Sequence, residues 1–153
     1  MKLSIITVGK RHDASIADAI AEYQKRLERV LAVDWVYIAP STLQMQEARK
    51  AESVKILASL KESDVVWLLD ERGEQITSTA LSAKLETLQV HAVSRLVLII
   101  GGAYGVDESV RQHAQWVWAL SKLVFPHQIV RLMLTEQLYR ATEIAKGSGY
   151  HHA

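Results

Sequence analysis

The sequence predicts an α/β fold, a mostly parallel sheet flanked by helices, and three observations carry that prediction. Five short runs rich in strand-forming residues alternate with five segments of helical periodicity along the chain. Two of the runs, Val65 to Leu69 (VVWLL) and Leu96 to Ile100 (LVLII), are apolar at every position, as in strands covered on both faces. The runs end in Gly, Pro or charged turns, and in a parallel sheet such ends form the crevice where ligands bind.

Taken in order, Lys2 to Val8 (KLSIITV) is a strand stopped by Gly9, and the charged turn Lys10-Arg11-His12-Asp13 leads into a helix with Asp13 as N-cap. From Ala14 to Leu31 the residues Ile16, Ala19, Ile20, Tyr23, Leu27 and Val30 recur at three and four, giving one buried stripe. Val33 to Ala39 is the second strand, closed by Pro40, and Ser41 to Lys61 a helix facing inward through Ala48, Ala51, Val54, Leu57 and Leu60. Val65 to Leu69 reads as a central strand that ends at Asp70-Glu71-Arg72-Gly73. Thr77 to Val90 is a helix capped by Thr77 or Ser78, with Leu81, Leu85 and Leu88 facing in. Leu96 to Ile100 breaks at Gly101-Gly102, Asp107 to His113 is a short helix, and Gln115 to Leu120 is the last strand, with Trp116 and Trp118 on one face. The final helix runs from Pro126 to Gly147 and leaves the polar tail Ser148 to Ala153.

A length of 153 residues, without linker, repeat or low-complexity tract, predicts one domain over residues 1–153. With 49% hydrophobic and 23% charged residues the composition is that of an ordinary globule, and no apolar run approaches the roughly 18 residues of a membrane span. The apolar stretch Leu3 to Val8 is too short for a signal peptide. The absence of cysteine excludes disulfide and thiolate chemistry and fits a cytoplasmic setting. A net charge of +1 argues against holding nucleic acid by bulk electrostatics, so an RNA partner would be met by a local patch or a second subunit.

Three strand ends are candidates for one pocket: Leu69-Asp70, Gly101-Gly102, and Ser121 to Pro126. The turn GGAYG fits neither GxGxxG nor a Walker A loop, so alone it is either a sharp connection or a close approach to a ligand. Asp70, Glu71 and Arg72 are a solvated loop or ligands for a ribose or cation. Glu136 and Arg140, four apart on the last helix, are a surface pair or part of a site. Arg131 is the more interesting cation, one turn into a helix whose start borders the crevice, and His127 either lines the pocket or caps that helix. His12, His91 and His113 read as ordinary helix-end or surface residues. No convergent metal ligands, Gly-x-Ser-x-Gly elbow or HExxH helix is present.

LLDERG (Leu68 to Gly73), LIIGGAYGV (Leu98 to Val106), WALSKLVFPHQIVRLMLTEQLYRA (Trp118 to Ala141) and Tyr150-His151, together with the N-terminal KLSIITVGK, carry a family likeness. They resemble the RlmH family, the small SPOUT-class methyltransferases of large-subunit ribosomal RNA. The resemblance implies a SPOUT-type fold with a C-terminal trefoil knot, which pattern reading alone does not reach because threaded chains are so rare. It implies a cytoplasmic homodimer that uses S-adenosylmethionine and no metal, and methylates N3 of a pseudouridine in 23S rRNA on the assembled ribosome. By motif the cofactor pocket would comprise Leu69 with Asp70, Gly102, Ser121, Lys122, Leu123, Val124, Phe125 and Pro126. Tyr150, His151 and Arg140 match the catalytic arm, with His151 taking the N3 proton, Tyr150 orienting the base and Arg140 holding charge or phosphate. The family commonly follows Tyr-His with an arginine or lysine, whereas here His152 stands at that place. Lys10, Arg11, Lys25, Arg26 or Arg29 of a partner subunit would then supply cations. The competing reading is a non-catalytic ribosome-binding protein that keeps the fold and cofactor pocket.

Overall fold

The computed structural model describes residues 1–152; Ala153, the last residue of the tail, lies outside them. Five strands, β1 (Lys2–Val8), β2 (Ala32–Ile38), β3 (Val65–Glu74), β4 (Arg95–Ile100) and β5 (Trp116–Trp118), pair in the order β2-β1-β4-β3-β5. Every pairing is parallel, so the sheet is wholly rather than mostly parallel. The helices are α1 (Ala14–Leu27), α2 (Met45–Ala58), α3 (Ser78–Val90), α4 (Glu108–His113) and α5 (His127–Ala145).

Because side chains alternate across a strand, each apolar run feeds two cores. Leu3, Ile5, Leu96, Leu98, Ile100, Trp67 and Trp118 face one way and pack with Leu27 of α1, Leu81 and Leu85 of α3, and Leu134 and Leu138 of α5. Ile6, Val8, Val66, Leu68, Val97 and Ile99 face the other way, against Ile56 of α2 and Val106 and Val110 beside and within α4.

Two helix boundaries, one helix face and one strand end differ most from the sequence reading. Helix α1 stops at Leu27, and Val30 is exposed, because the chain tightens into turns whose amides return to the Leu27 carbonyl. Helix α2 starts at Met45, since Ser41 Oγ first accepts the Leu43 N–H in a local turn. Its buried face is Ala48, Glu52, Ser53 and Ile56, while Val54 points to solvent, so the expected apolar stripe is rotated by one position. Strand β3 does not end at Leu69. After an irregularity it rejoins β5 at Glu74, whose carboxylate accepts the Trp116 indole N–H at 2.7 Å. Gly73 makes that return possible, because a Cβ there would stand 2.6 Å from the Val117 carbonyl oxygen. Trp116 and Trp118 do share a face, their rings stacked 5.3 Å apart. Thr77 caps α3, Asp107 caps α4, and Gly147 leaves α5 with φ of +69°. Asp13 holds the N-cap position of α1 without a side-chain cap bond, its own N–H donating instead to Gln128 Oε1.

Candidate active site

The carboxyl ends of β4, β3 and β5 open into a crevice with a cavity volume of about 110 Å³, at the place where parallel α/β sheets receive their ligands. Leu69, Asp70, Gly102, Ser121, Leu123 and Phe125 of the expected pocket line it, and Lys122, Val124 and Pro126 do not. Ile100, Val106, Leu120 and Val130 complete an apolar wall, and His127 lines the crevice at the start of α5. The wall is built by three loops. Ser121 Oγ accepts the Leu123 N–H at 3.0 Å and shapes the segment before α5. The glycine turn folds on itself through Gly105 N–H to the Gly102 carbonyl at 2.9 Å, with Gly105 at a φ of +72° that favours glycine. Beyond it, Ser53 Oγ on α2 accepts the Asp107 N–H at 2.9 Å and fixes the start of α4.

Asp70 serves as a clamp. Its Oδ1 accepts Arg72 N–H and Nε–H, at 2.9 and 3.0 Å, and Oδ2 accepts one N–H each from Arg72 and Arg111, at 2.9 and 2.5 Å. Burial pushes this carboxyl up, but the Arg72 hydrogen bonds and the Arg111 and Arg72 charges outweigh it and hold its pKa at about 2. The carboxylate therefore ties β3 to α4 across the crevice, and its acceptor capacity is spent on arginine.

Behind the crevice lies a buried polar cluster that sequence patterns did not flag. Arg131, noted as a cation, is wholly buried and donates to the Lys10 carbonyl at 2.9 Å, with its guanidinium 5.8 Å from the Tyr37 ring. His12, read as a surface residue, is half-buried: its ring meets Trp35 edge-on at 4.5 Å, and its Nε2 lies 3.3 Å from Tyr37 Oη. Burial and the Arg131 charge lower the pKa of both His12 and His127. Glu52, also buried, has a carboxylate oxygen 2.5 Å from where a Gly102 Cβ would stand. Only its place beside Ser53, breaking the apolar stripe of α2, could have marked it in advance.

The expected catalytic arm sits elsewhere in the chain. Tyr150 Oη donates to Glu136 Oε1 at 3.1 Å, and Arg140 binds the same oxygen at 2.6 Å and lies 4.8 Å from the Tyr150 ring. Glu136 and Arg140 are thus part of a four-residue cluster with Tyr139, whose ring meets Tyr150 at 4.8 Å. His151 is half-buried, and its Nδ1 has no hydrogen-bond partner among the described residues. Arg140, Tyr150 and His151 are not among the residues that line the crevice of their own chain.

A parallel sheet with an apolar, loop-walled crevice at its strand ends defines an α/β enzyme that receives its ligand there. Comparison with known proteins fixes the family. The model described as "Predicted SPOUT methyltransferase" matches residues 1–151, and the chain belongs to that family of S-adenosylmethionine-dependent methyltransferases. The chain is 39% identical over 158 residues to the ribosomal RNA large subunit methyltransferase H of Ruminiclostridium cellulolyticum, covering 99% of both. It is also 39% identical over 155 residues to the protein of that name in Cytophaga hutchinsonii, covering 99% of this chain and all of the relative. A probable methylase family protein of Haemophilus influenzae shares the fold, with a TM-score of 0.55 at 9% identity over 99% of this chain and 70% of the other.

The crevice fits the cofactor. Its aliphatic and Phe125 wall suits an adenine, its loop backbone offers polar groups, and the buried carboxylate behind Gly102 suits a cationic sulfonium.

Proposed function

We propose that this protein methylates N3 of a pseudouridine in 23S rRNA on the assembled ribosome, acting in the cytoplasm as a homodimer of one 153-residue domain with a C-terminal knot. The observation that carries the reading is the end-to-end match to proteins named as methyltransferases of large-subunit ribosomal RNA. No helix among the described residues is long and apolar enough to cross a membrane, which is compatible with that setting.

S-adenosylmethionine would supply an electrophilic methyl group. Leu69, Gly102, Ser121, Leu123 and Phe125 would hold it in the crevice, with Asp70 acting by keeping the β3 and α4 walls together. Much of the rate then comes from alignment of the imide nitrogen with the methyl carbon. N3 carries a proton that must leave, and His151, with an unengaged ring nitrogen among the described residues, is the group that takes it. Tyr150 is unsuited to that task. Burial, the neighbouring Tyr23 hydroxyl and the charge of Glu136 raise its pKa, so it stays a phenol that orients the base. Arg140 offers the cation for the pyrimidine oxyanion. Since this arm lies apart from its own crevice, the dimer is the reading that lets the arm of one subunit serve the crevice of the other.

The test is incubation of the protein with labelled S-adenosylmethionine and ribosomes from a strain lacking the modification, followed by mass spectrometric mapping. Methyl on N3 of a large-subunit pseudouridine is the expected result. Cofactor binding without transfer to ribosomes, subunits or free rRNA would instead mean a ribosome-binding protein.

A further inference from the structure

Among the described residues, the buried charged side chains outside the Asp70 clamp are Glu52, Asp64 and Arg131. Asp64 is paired with Arg95 at 3.0 Å, and Arg131 donates to a backbone carbonyl. Glu52 has less: its Oε1 receives only a long 3.4 Å bond from the Ser41 N–H, and its Oε2, like Asp64 Oδ1 and Arg131 Nε, has no hydrogen-bond partner among the described residues. No lysine or arginine among those residues comes within ion-pair distance of it. Leaving a carboxylate buried without a partner is costly, so the fold keeps it there against its own stability.

Its position indicates what it faces. Oε2 points at Gly102, where a Cβ would come within 2.5 Å of it, and Gly102 is part of the crevice wall. A glycine at this point leaves no side chain between the carboxylate and the crevice. Ser53, the next residue, binds the Asp107 N–H at the far end of the same loop, so α2 backs the glycine turn at one end and holds it at the other. The other ionisable groups near the wall are Asp70, whose charge is engaged by Arg72 and Arg111, the exposed Glu71, His127, which senses the Glu52 charge, and Arg131, one turn further along α5.

We infer that Glu52 is a specificity-determining residue whose unpaired charge, acting across Gly102, favours the sulfonium form of the cofactor over the neutral thioether product. A positive sulfur entering a low-dielectric crevice is stabilised by a fixed negative charge behind the wall, and a neutral sulfur is not. Methyl transfer removes the positive charge from sulfur, so the same carboxylate weakens the hold on S-adenosylhomocysteine relative to the substrate and assists its exchange. The inference rests on S-adenosylmethionine as cofactor and is independent of which nucleotide accepts the methyl.

The experiment is calorimetric titration of the wild-type protein, Glu52→Gln and Glu52→Asp with S-adenosylmethionine and with S-adenosylhomocysteine, alongside thermal melting without ligand. Glu52→Gln keeps the shape and removes the charge; the affinity ratio of substrate to product should fall about tenfold, chiefly through weaker substrate binding. The same variant should melt at or above wild type, because an uncompensated buried charge is gone. Glu52→Asp should keep the ratio near its wild-type value even where both affinities drop. Equal loss for both ligands, unchanged affinities, or a glutamine variant that fails to fold would each overturn the inference, leaving Glu52 a mere prop for the loop. A wild-type protein that binds neither ligand would instead sink the cofactor assignment itself.

Discussion

Asp70 shows how a residue read from sequence as a ligand can work through its neighbours. With a folded pKa of about 2 against 3.8 for an ordinary aspartate, its contribution is fully present above about pH 4 and is lost as pH falls toward 2. A shift of that size corresponds to about 2 kcal/mol. Asp70→Asn should therefore lower the urea unfolding free energy by about that amount at pH 7, and the gap from wild type should close between pH 4 and 2. His127 responds in the opposite charge sense but the same pH sense. Its folded pKa is lowered by burial and by Arg131, so the neutral ring stabilises the fold above 6.5, and that contribution is lost as pH falls through the folded value. Imidazole NMR should find the His127 midpoint below 6.5, and mutation of Arg131 to Met should move it up.

Among the elements, the strands were the most legible. Val65 to Leu69 and Leu96 to Ile100 are interior because every residue must be buried on one face or the other. What escaped pattern reading was the return of β3 through Asp70-Glu71-Arg72-Gly73, because charged residues usually mark a solvated loop while here arginine and aspartate neutralise one another within a strand edge. Gly73→Ala should break that return: the methyl meets backbone that cannot yield, and a loss of about 3 kcal/mol in denaturant unfolding is expected. Helix α2 was misphased for a related reason, since its buried face includes Glu52 and Ser53, which periodicity of apolar residues cannot see. The loops at all three strand ends line the crevice, as parallel-sheet topology leads one to expect of a ligand site. The Arg131, His12 and Tyr37 cluster was not, since it joins residues more than a hundred positions apart.

For the whole molecule, the separation of crevice and arm leads to a mixing experiment. Sedimentation should give a dimer. A crevice variant such as Gly102→Trp and an arm variant such as His151→Ala should each be inactive alone, and co-refolded or co-expressed mixtures should recover part of the activity. Recovery requires that the two parts come from different chains, whereas activity confined to wild type would mean that each chain is self-sufficient.

The sheet order bears also on how the chain is made. Strand β1 emerges first from the ribosome yet lies between β2 and β4, and its Lys2 pairs with Arg95. At roughly 5–20 residues per second, the nascent chain spends several seconds with the backbone of β1 unpaired along one edge before β4 arrives. Cutting the gene between α2 and β3 would leave each fragment with an unsatisfied strand edge, β1 in one and β4 in the other. The two fragments would then be insoluble apart and soluble when co-produced, each acting as the other's folding template.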